Sequence, residues 1–255
     1  MKSLFNLKQS KVFFLVTLIF ITQGLLSSCS FVSNPRVKEV ILPANTSSYT
    51  DHHEPTIADN IGQKVNTSLI FTDEKNNKSS LKELLKSSSA LLITLNYYSC
   101  TTMCTLQFAN LAKLLKELNS SYLDTIQIAT ISFDPNDTVK EAFEKYKIWA
   151  LPLASKNINW HFFIGDNENI VPLTKQLNFY YEFHPEDKEY AHSSALFFVK
   201  PDGTFYRYLY GMIYTLRDLK FALIETSEGK LGSIFEKFSL QFRRYNAITG
   251  KYTDS

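Results

Sequence analysis

Between residues 64 and 228, segments with the apolar pattern of a strand alternate with segments whose apolar residues recur at helical spacing. The pattern predicts strands that alternate with helices. Residues 90–95 form a continuous apolar run, which is typical of a strand covered on both faces. Residues 125–133 alternate apolar and other side chains and predict the next strand. Between these two strands, a helix over residues 102–119 is indicated by one leucine-rich face at helical spacing, at positions 111, 114, 115 and 118.

Two capping boxes mark the beginnings of further helices. Ser80 is followed three residues later by Glu83, and Thr138 is followed in the same way by Glu141. In each pair the hydroxyl and the carboxylate can bind each other's backbone N–H groups, which satisfies donors that a helix N-terminus leaves free. A helix is therefore predicted to begin at each of these positions.

A hairpin and a helix are predicted near the end of the alternating region. The turn sequence Lys-Pro-Asp-Gly at residues 200–203 separates two strand-like runs, residues 194–199 and 204–210. Residues 214–225 then show helical spacing of apolar side chains. The whole pattern predicts an α/β fold, with a central sheet flanked by helices, a late β-hairpin and a helix that follows it.

The first thirty residues have the pattern of an export signal. Three lysines, at positions 2, 8 and 11, precede an apolar run over residues 12–26 that is shorter than the roughly 20 residues a spanning helix needs. Small residues then lead to Cys29, as in a bacterial lipoprotein box. We expect a signal peptide at residues 1–28, a lipid on Cys29 and a membrane tether over residues 29–63. An uncleaved N-terminal anchor is the alternative, and both interpretations place the rest of the chain outside the cytoplasm at a membrane.

Composition and charge narrow the remaining classes. The 255-residue chain is 44% hydrophobic and has 8 Gly and 8 Pro, which excludes a disordered or collagen-like chain. A formal net charge of +2 is too small to create the strong positive electrostatic potential that nucleic-acid binding needs, so no nucleic-acid partner is expected. Three cysteines are too few for a disulfide framework. We expect one folded domain over residues 64–228 and a C-terminal extension over residues 229–255 that packs on it.

Cys100 and Cys104 carry the clearest chemical signal. They follow the buried strand at residues 90–95 and stand where the next helix begins, which is where active groups of open α/β sheets gather. A helix N-terminus also lowers the pKa of a nearby thiol. Three residues separate the cysteines, so both thiols can point to one side and hold a metal, and thiolates favour Cu(I) or Zn. A structural disulfide between them is the alternative at this point.

Two sulfur donors leave a metal short of ligands, and the five histidines are candidates for the third donor. His192 stands just before the strand at residues 194–199, and it reaches the cysteines if that strand neighbours the one at residues 90–95. The other four histidines are expected to take no part in metal binding. His52 and His53 are a solvated pair, His161 is a hydrogen-bonded residue of a strand, and His184 is a solvent-facing loop residue.

Two further residues have both a chemical and a structural interpretation. Met103 is a soft donor, but packing of the helix onto the sheet is the commoner role for such a residue. Asp134 follows the strand at residues 125–133 at the same sheet edge as the cysteines, so it is a candidate for supporting the site without binding the metal. Helix capping by Asp137 or Thr138 explains part of the same motif without any chemistry.

The order of these motifs resembles the SCO/SenC family of thioredoxin-fold proteins, which carry copper for cytochrome c oxidase assembly. The resemblance covers residues 65–226, and the C-terminal sequence at 249–252 is similar to a lipoprotein-anchored bacterial branch of the family. Four segments carry it: Tyr-Ser-Cys-Thr-Thr-Met-Cys at 98–104, Ile-Ser-Phe-Asp-Pro-Asn-Asp-Thr at 131–138, Trp-His-Phe-Phe-Ile-Gly at 160–165, and Ala-His-Ser-Ser at 191–194. A C-x-x-x-C, a D-P-x-x-D-T and a late histidine in this order are specific when taken together.

The resemblance implies a thioredoxin-like fold and a copper site made by Cys100, Cys104 and His192. It implies Cu(I), and also Cu(II), as the bound metal, and a copper-containing subunit of cytochrome c oxidase as the partner that receives it. The family often has Pro after its first cysteine, where this chain has Thr101. Because a Pro would remove an N–H and stiffen the loop, this departure concerns the rigidity and redox tuning of the loop.

A thiol–disulfide oxidoreductase outside the cytoplasm is the alternative function. It needs only Cys100 and Cys104 as a catalytic pair that reduces client cysteines, with His192 as a bystander or as a group that tunes the thiol pKa. An interaction module with a structural disulfide is a third class. In the copper-carrier interpretation the chain is not a conventional enzyme.

Overall fold

The computed structural model describes residues 60–86, 88–228 and 243–254. The expected signal peptide, the lipid attachment site at Cys29, the His52–His53 pair and all of the expected tether before residue 60 lie outside the described residues. Strands are found, in chain order, at β1 (Ile70–Asp73), β2 (Lys78–Ser80), β3 (Ala90–Asn96), β4 (Ile126–Ser132), β5 (Trp160–Ile164), β6 (Tyr181–His184), β7 (Glu189–His192), β8 (Ala195–Val199), β9 (Phe205–Tyr210), β10 (Arg243–Asn246) and β11 (Lys251–Asp254).

A seven-stranded mixed sheet forms the centre of the described fold. Its strand order is β2-β1-β5-β4-β3-β8-β9. The pairs β3–β4 and β4–β5 are parallel, whereas β8 pairs antiparallel with both β3 and β9. Every residue of β3 and of β8 is buried, as the continuous apolar runs require for strands covered on both faces.

Helices cover both faces of this sheet, which confirms the predicted α/β class. They are α1 (Leu81–Lys86), α2 (Met103–Glu117), α3 (Ser120–Leu123), α4 (Val139–Trp149), α5 (Asn167–Gln176) and α6 (Leu216–Thr226), with a 3-10 helix at Leu151–Lys156. The longest of them, α2, directly follows β3 and buries the leucine face that the sequence indicated. None of the helices in the described part of the chain is long and apolar enough to cross a membrane.

Sequence and structure differ most between residues 178 and 193. The sequence predicts a loop there, but β6 and β7 form a separate two-stranded antiparallel hairpin. The hairpin is largely exposed on one face. Its sequence therefore carries many polar residues and lacks the apolar pattern from which a buried strand is recognised. Its other face carries aromatic side chains that pack against the ends of β3 and β4. This hairpin brings His192 to the carboxyl ends of β3 and β4.

The first strand also begins later than its β-branched sequence predicts. Residues 67–72 read as a strand, but β1 begins at Ile70. Asn66 explains the difference, because its side-chain oxygen accepts from the Ser68 N–H and its carbonyl accepts from the Leu69 N–H. These bonds hold residues 66–69 in a turn, which competes with strand pairing.

The C-terminal hairpin, β10 and β11, contacts the outermost strand of the sheet. The Tyr245 hydroxyl donates to the Tyr208 carbonyl oxygen (2.8 Å) and accepts from the Tyr208 N–H (3.3 Å) on β9. Edge strands leave such backbone groups open to pairing with other chains. A side chain of the C-terminal hairpin therefore covers part of this sheet edge.

The capping box of α4 yields a stability prediction. The Thr138 hydroxyl accepts from the Glu141 N–H, and the Glu141 carboxylate accepts from the Thr138 N–H at 2.7 Å. We expect Thr138→Ala to lower the free energy of unfolding by about 1 kcal/mol, measured by urea denaturation. Thr102→Ala is the matched control, because Thr102 occupies the same cap position on α2 without a side-chain cap bond. Equal losses in the two variants would contradict the prediction.

Candidate metal centre

The two cysteines lie where β3 passes into α2. Cys100 is in the connecting loop and Cys104 is in the first turn of the helix, and both thiols are free and buried. The backbone N–H of Cys104 points at the Cys100 sulfur, with a nitrogen–sulfur distance of 3.5 Å. A free N–H at the beginning of the helix therefore stabilises negative charge on Cys100.

The two thiols have opposite pKa shifts. The Cys104 side chain donates a hydrogen bond to Cys100, which lowers the pKa of Cys100, and His192 acts in the same direction against the effect of burial. The same hydrogen bond raises the pKa of Cys104, and burial raises it further. In the reduced protein Cys100 is therefore the thiolate and Cys104 the neutral thiol.

His192 is the last residue of β7, and its ring is directed at the cysteines. Its Nε2 atom lies 3.9 Å from the Cys104 sulfur. Its Nδ1 atom lies 2.7 Å from the Ser193 carbonyl oxygen, which can only accept a hydrogen bond. The proton of a neutral ring is therefore on Nδ1, and the lone pair of Nε2 is directed towards the sulfur atoms.

Aromatic side chains surround the His192 ring. The Phe133 ring centroid lies 5.1 Å from the imidazole centroid, and Tyr97 and Phe179 lie 5.8 and 5.9 Å away. Tyr190 completes the cluster by packing against both Tyr97 and Phe133. These contacts restrict the rotation of the imidazole and keep its Nε2 atom directed at the thiols.

The sequence placed Asp134 near the site, and the structure shows what this residue contacts. Burial and the neighbouring Asp134 carboxylate raise the pKa of Tyr190, so Asp134 lies beside the aromatic cluster that packs on the imidazole. Asp137 is the more buried carboxylate, and it accepts from the Tyr98 N–H at 2.7 Å and from the Ser132 hydroxyl at 2.5 Å. Burial raises the pKa of Asp137, and these two bonds oppose that shift. Asp137 thus ties the loop that carries Cys100 to the end of β4.

The remaining candidates lie away from the thiols. His161 lies on β5, and its Nδ1 atom is 3.0 Å from a carboxylate oxygen of the buried Glu74. It is therefore a hydrogen-bonded sheet residue, as expected. His184 ends β6 and is exposed, although it belongs to a strand and not to the predicted loop. Met103 is 50% exposed at the beginning of α2, so it does not pack the helix onto the sheet.

Three contacts of this centre were not anticipated from the sequence. Burial and the neighbouring Cys100 raise the pKa of Tyr97, and the neighbouring Asn96 side chain acts to lower the pKa of Cys104 against the larger effects of Cys100 and burial. Gln107 in turn binds Asn96, with a nitrogen–oxygen distance of 2.8 Å. Only the spacing of Cys104 and Gln107, one turn apart on the same helix, offered a signal in the sequence.

The arrangement brings two sulfur donors and one imidazole nitrogen together at the carboxyl end of β3. No group of three or more His, Cys, Asp or Glu side chains within the described ranges is close enough together to hold a metal ion as it stands. The contacts are pairwise, Cys100 with Cys104 and each of them with His192. Side-chain rotation can bring the two sulfur atoms together, but a disulfide would also need a two-electron oxidant, and a metal complex would need a metal ion and loss of the thiol protons.

Comparisons with known proteins agree with this fold. A family model described as SCO1/SenC matches residues 60–215, which is more than half of the chain. No curated protein sequence matches. Among solved structures, the chain is similar to a putative electron transfer protein from Aquifex aeolicus, with 20% identity, a TM-score of 0.58 and coverage of 66% of this chain and 95% of that one.

Two structures that are themselves named as Sco proteins are also similar. Copper-bound ScoI from Arabidopsis thaliana has 19% identity and a TM-score of 0.51, covering 66% of this chain and 98% of that one. A SCO1/SenC family lipoprotein from Bacillus anthracis has 21% identity and a TM-score of 0.51, with the same coverage of both chains. These likenesses confirm the thioredoxin-like fold, and the match to the family model over residues 60–215 shows that the chain belongs to the SCO1/SenC family.

Proposed function

We propose that this protein binds copper through Cys100, Cys104 and His192 and delivers it to the copper centre of cytochrome c oxidase during assembly. The observation that carries the proposal is the direction of one imidazole. The Ser193 carbonyl fixes the proton on Nδ1, so the Nε2 lone pair of His192 is directed towards the Cys104 sulfur at 3.9 Å. A histidine that served only as a packing residue would not need this orientation.

The distances and donor types suit a soft cation. Metal–sulfur and metal–nitrogen bonds of about 2.3 and 2.0 Å, at the angle of a three-coordinate site, place sulfur and nitrogen about 3.7 Å apart. The 3.9 Å between Cys104 and His192 therefore needs little adjustment. Two thiolates and one imidazole form a donor set that favours Cu(I) over hard cations such as Mg²⁺ or Ca²⁺. Cu(II) is the second oxidation state that we propose for the cargo.

The thiols couple copper loading to their redox state. Copper binding requires thiolates, and a disulfide between Cys100 and Cys104 would remove two of the three donors. Reduced protein is therefore the form that accepts copper. The copper-bound and disulfide forms exclude each other at the same pair of sulfur atoms.

Membrane attachment belongs to the same proposal. We propose that residues 1–28 are a signal peptide and that a lipid on Cys29 anchors the protein outside the cytoplasm. Residues 29–63 would be the tether, residues 64–228 the copper-binding domain and residues 229–255 an extension packed on it. The similarity to a Bacillus anthracis lipoprotein of the same family supports this arrangement.

A thiol–disulfide oxidoreductase remains the second candidate because of the opposite pKa shifts of the two thiols. The lowered pKa of Cys100 makes it an attacking thiolate, and the raised pKa of Cys104 makes it a resolving thiol. In that reaction Cys100 attacks a client disulfide, Cys104 then displaces the client, and two electrons pass to the client cysteines. This chemistry needs neither copper nor His192.

The test is a transfer experiment with the full chain in detergent. Copper-loaded protein is mixed with the soluble copper-binding domain of an oxidase subunit, and copper in the acceptor is measured after separation. We expect transfer from the wild type and little from His192→Ala, which lacks the third donor. If the copper-free His192→Ala protein reduces the acceptor's disulfide at the wild-type rate and neither protein transfers copper, the oxidoreductase function is the correct one.

A further inference from the structure

Exposed apolar side chains lie on three structural elements that border the thiol pair. The first turns of α2, the β6–β7 hairpin with the residue before it, and the end of β9 with the loop that follows it each carry two large exposed apolar residues. In that order, the pairs are Met103 and Leu106, Tyr180 and Phe183, and Tyr210 and Ile213. We refer to these six side chains as the apolar face. Exposed apolar side chains that cluster in this way mark an interaction site, whereas scattered ones do not.

The hairpin and α2 hold four of these side chains beside the metal donors. Met103 stands between the two cysteines, in the first turn of α2. On the hairpin, Phe183 is paired with Tyr190, two residues before His192. The Ser193 N–H, directly after His192, donates to the Tyr180 carbonyl at 3.4 Å. Both elements therefore meet at the thiols.

The loop after β9 forms the third side. Because β8 is antiparallel to both β3 and β9, β9 ends at the same end of the sheet as β3. The Gly211 N–H donates to the Ser194 carbonyl at 2.8 Å, two residues after the histidine. The Tyr214 hydroxyl hydrogen-bonds Gln107 at 2.7 Å, and the Tyr214 N–H donates to the Asn110 side chain at 2.8 Å, so the loop is fixed against α2.

A cavity of about 150 Å³ adjoins the apolar face. Tyr210 and Ile213 line it on one side, and Gly250 and Lys251 of the C-terminal hairpin line it on the other. Protein interfaces concentrate their binding energy in a few large side chains that fill such pockets. The cavity therefore offers an anchoring point for a side chain of a partner protein.

Charge is distributed unevenly around the apolar face. Residues 97–112 and 208–216 contain no Lys, Arg, Asp or Glu. Residues 181–192 contain one base, Lys188, and four acids, all of them exposed: Glu182, Glu186, Asp187 and Glu189. A charge-free apolar centre with a charged margin is the usual composition of a protein interface.

The acidic margin decides between the possible occupants. It is complementary to a partner with a basic margin. An anionic membrane surface would be repelled by it. A second copy is also disfavoured, because an isologous contact would bring two acidic hairpins into one interface.

We propose that the apolar face is the docking surface for the protein that receives copper, and that this acceptor has an apolar patch around its own metal ligands and a basic margin that meets the β6–β7 hairpin. The proposal rests on the proposed function for the identity of the cargo. In the transfer, an acceptor thiol forms a bond to Cu(I) as a bond from copper to Cys100 or Cys104 breaks, and its proton passes to the released thiolate. Copper keeps its oxidation state. Because both donor sets must reach one ion, the acceptor has to contact the side chains that border the thiols.

Ile213→Ser and Leu106→Ser test the docking surface in the full chain in detergent. Transfer from the Cu(I)-loaded protein to the soluble copper-binding domain of an oxidase subunit is followed at several acceptor concentrations. We expect the acceptor concentration at half-maximal rate to rise about tenfold in each variant, with the maximal rate and the Cu(I) affinity unchanged.

Ile148→Ser is the matched control for this experiment. Ile148 is 58% exposed and Ile213 is 68% exposed, so the two substitutions remove similar apolar surface. Ile148 lies nine residues after the first residue of α4, which places it roughly 14 Å along the helix from the carboxyl end of β4. The control should transfer copper as the wild type does.

Glu186→Gln combined with Asp187→Asn tests the charge of the acceptor. We expect association to slow about threefold at low salt, and we expect high salt to remove the difference from the wild type. Glu117→Gln combined with Asp124→Asn is the control, since it removes the same charge at the end of α2 and before β4, at the opposite end of the sheet. Wild-type association of the hairpin variant at low salt would overturn the proposed basic margin.

Binding of the metal-free, reduced protein to the acceptor, measured by calorimetry, separates this proposal from the copper proposal. Weaker binding of Ile213→Ser and Leu106→Ser than of Ile148→Ser supports the docking surface, including in a protein that transfers no copper. Wild-type binding and wild-type transfer in both variants overturn the docking surface and leave the copper function intact. A dimer in sedimentation that Ile213→Ser dissociates would assign the apolar face to a second copy and overturn the proposal.

Discussion

Replacing either cysteine of the pair by serine is expected to lower Cu(I) affinity by more than about 100-fold. The factor exceeds 100 because loss of a partner that merely orients a metal ligand already costs about 10- to 100-fold. Serine matches cysteine in shape, but its hydroxyl keeps its proton at neutral pH and is a hard donor that Cu(I) does not favour. Cys100→Ser and Cys104→Ser each leave one sulfur and the imidazole, which is too few soft donors for a stable site.

The measurement is competition with a chromophoric Cu(I) chelator under anaerobic conditions, with the reduced full chain in detergent. His192→Ala should lose less than either cysteine variant, because it retains both thiolates. Ser99→Ala is the matched control, since Ser99 is exposed and immediately precedes Cys100, and its affinity should equal that of the wild type. Wild-type affinity in both cysteine variants would exclude the copper site.

The cysteine half of the site could be predicted because its signals are local in sequence. The buried run at β3 and the leucine face of α2 fix where strand ends and helix begins, and the two cysteines stand at that junction. The same locality explains the capping box at Thr138 and the hairpin of β8 and β9. In each case the residues that determine the structure lie within one short segment.

The other half of the site depends on contacts between distant segments. His192 reaches Cys104 across 88 positions of sequence, and it does so from a hairpin whose strand pattern is hidden by exposed polar residues. The resemblance to a family indicated His192, whereas spacing alone did not. Asp137 was expected only as a possible helix cap, yet its carboxylate binds the Tyr98 N–H beside the cysteine loop. Gln107 binds Asn96 and also the Ala195 carbonyl, 88 positions away, which no local pattern connects to it.

Phe133 is the residue outside the donor set whose loss should matter most. It is fully buried at the end of β4, and its ring contacts the His192 imidazole together with Tyr181 and Tyr190. Phe133→Ala is expected to lower the free energy of unfolding by about 3–5 kcal/mol, which combines lost burial with the cavity that remains. Chemical denaturation of the reduced protein measures this loss.

Truncation of Phe133 should also reduce Cu(I) affinity towards the value of His192→Ala, because the imidazole loses the closest wall that holds its Nε2 atom towards Cys104. Phe205→Ala is the control, since Phe205 is equally buried in β9 but contacts Phe197 instead of the imidazole. It should match the stability loss and retain wild-type affinity. Phe133→Leu, which preserves most of the volume, gives an intermediate case if the alanine variant unfolds. If Phe133→Ala folds and binds Cu(I) as tightly as the wild type, the aromatic cluster does not position His192, and the orientation of the ring must depend on Ser193 alone.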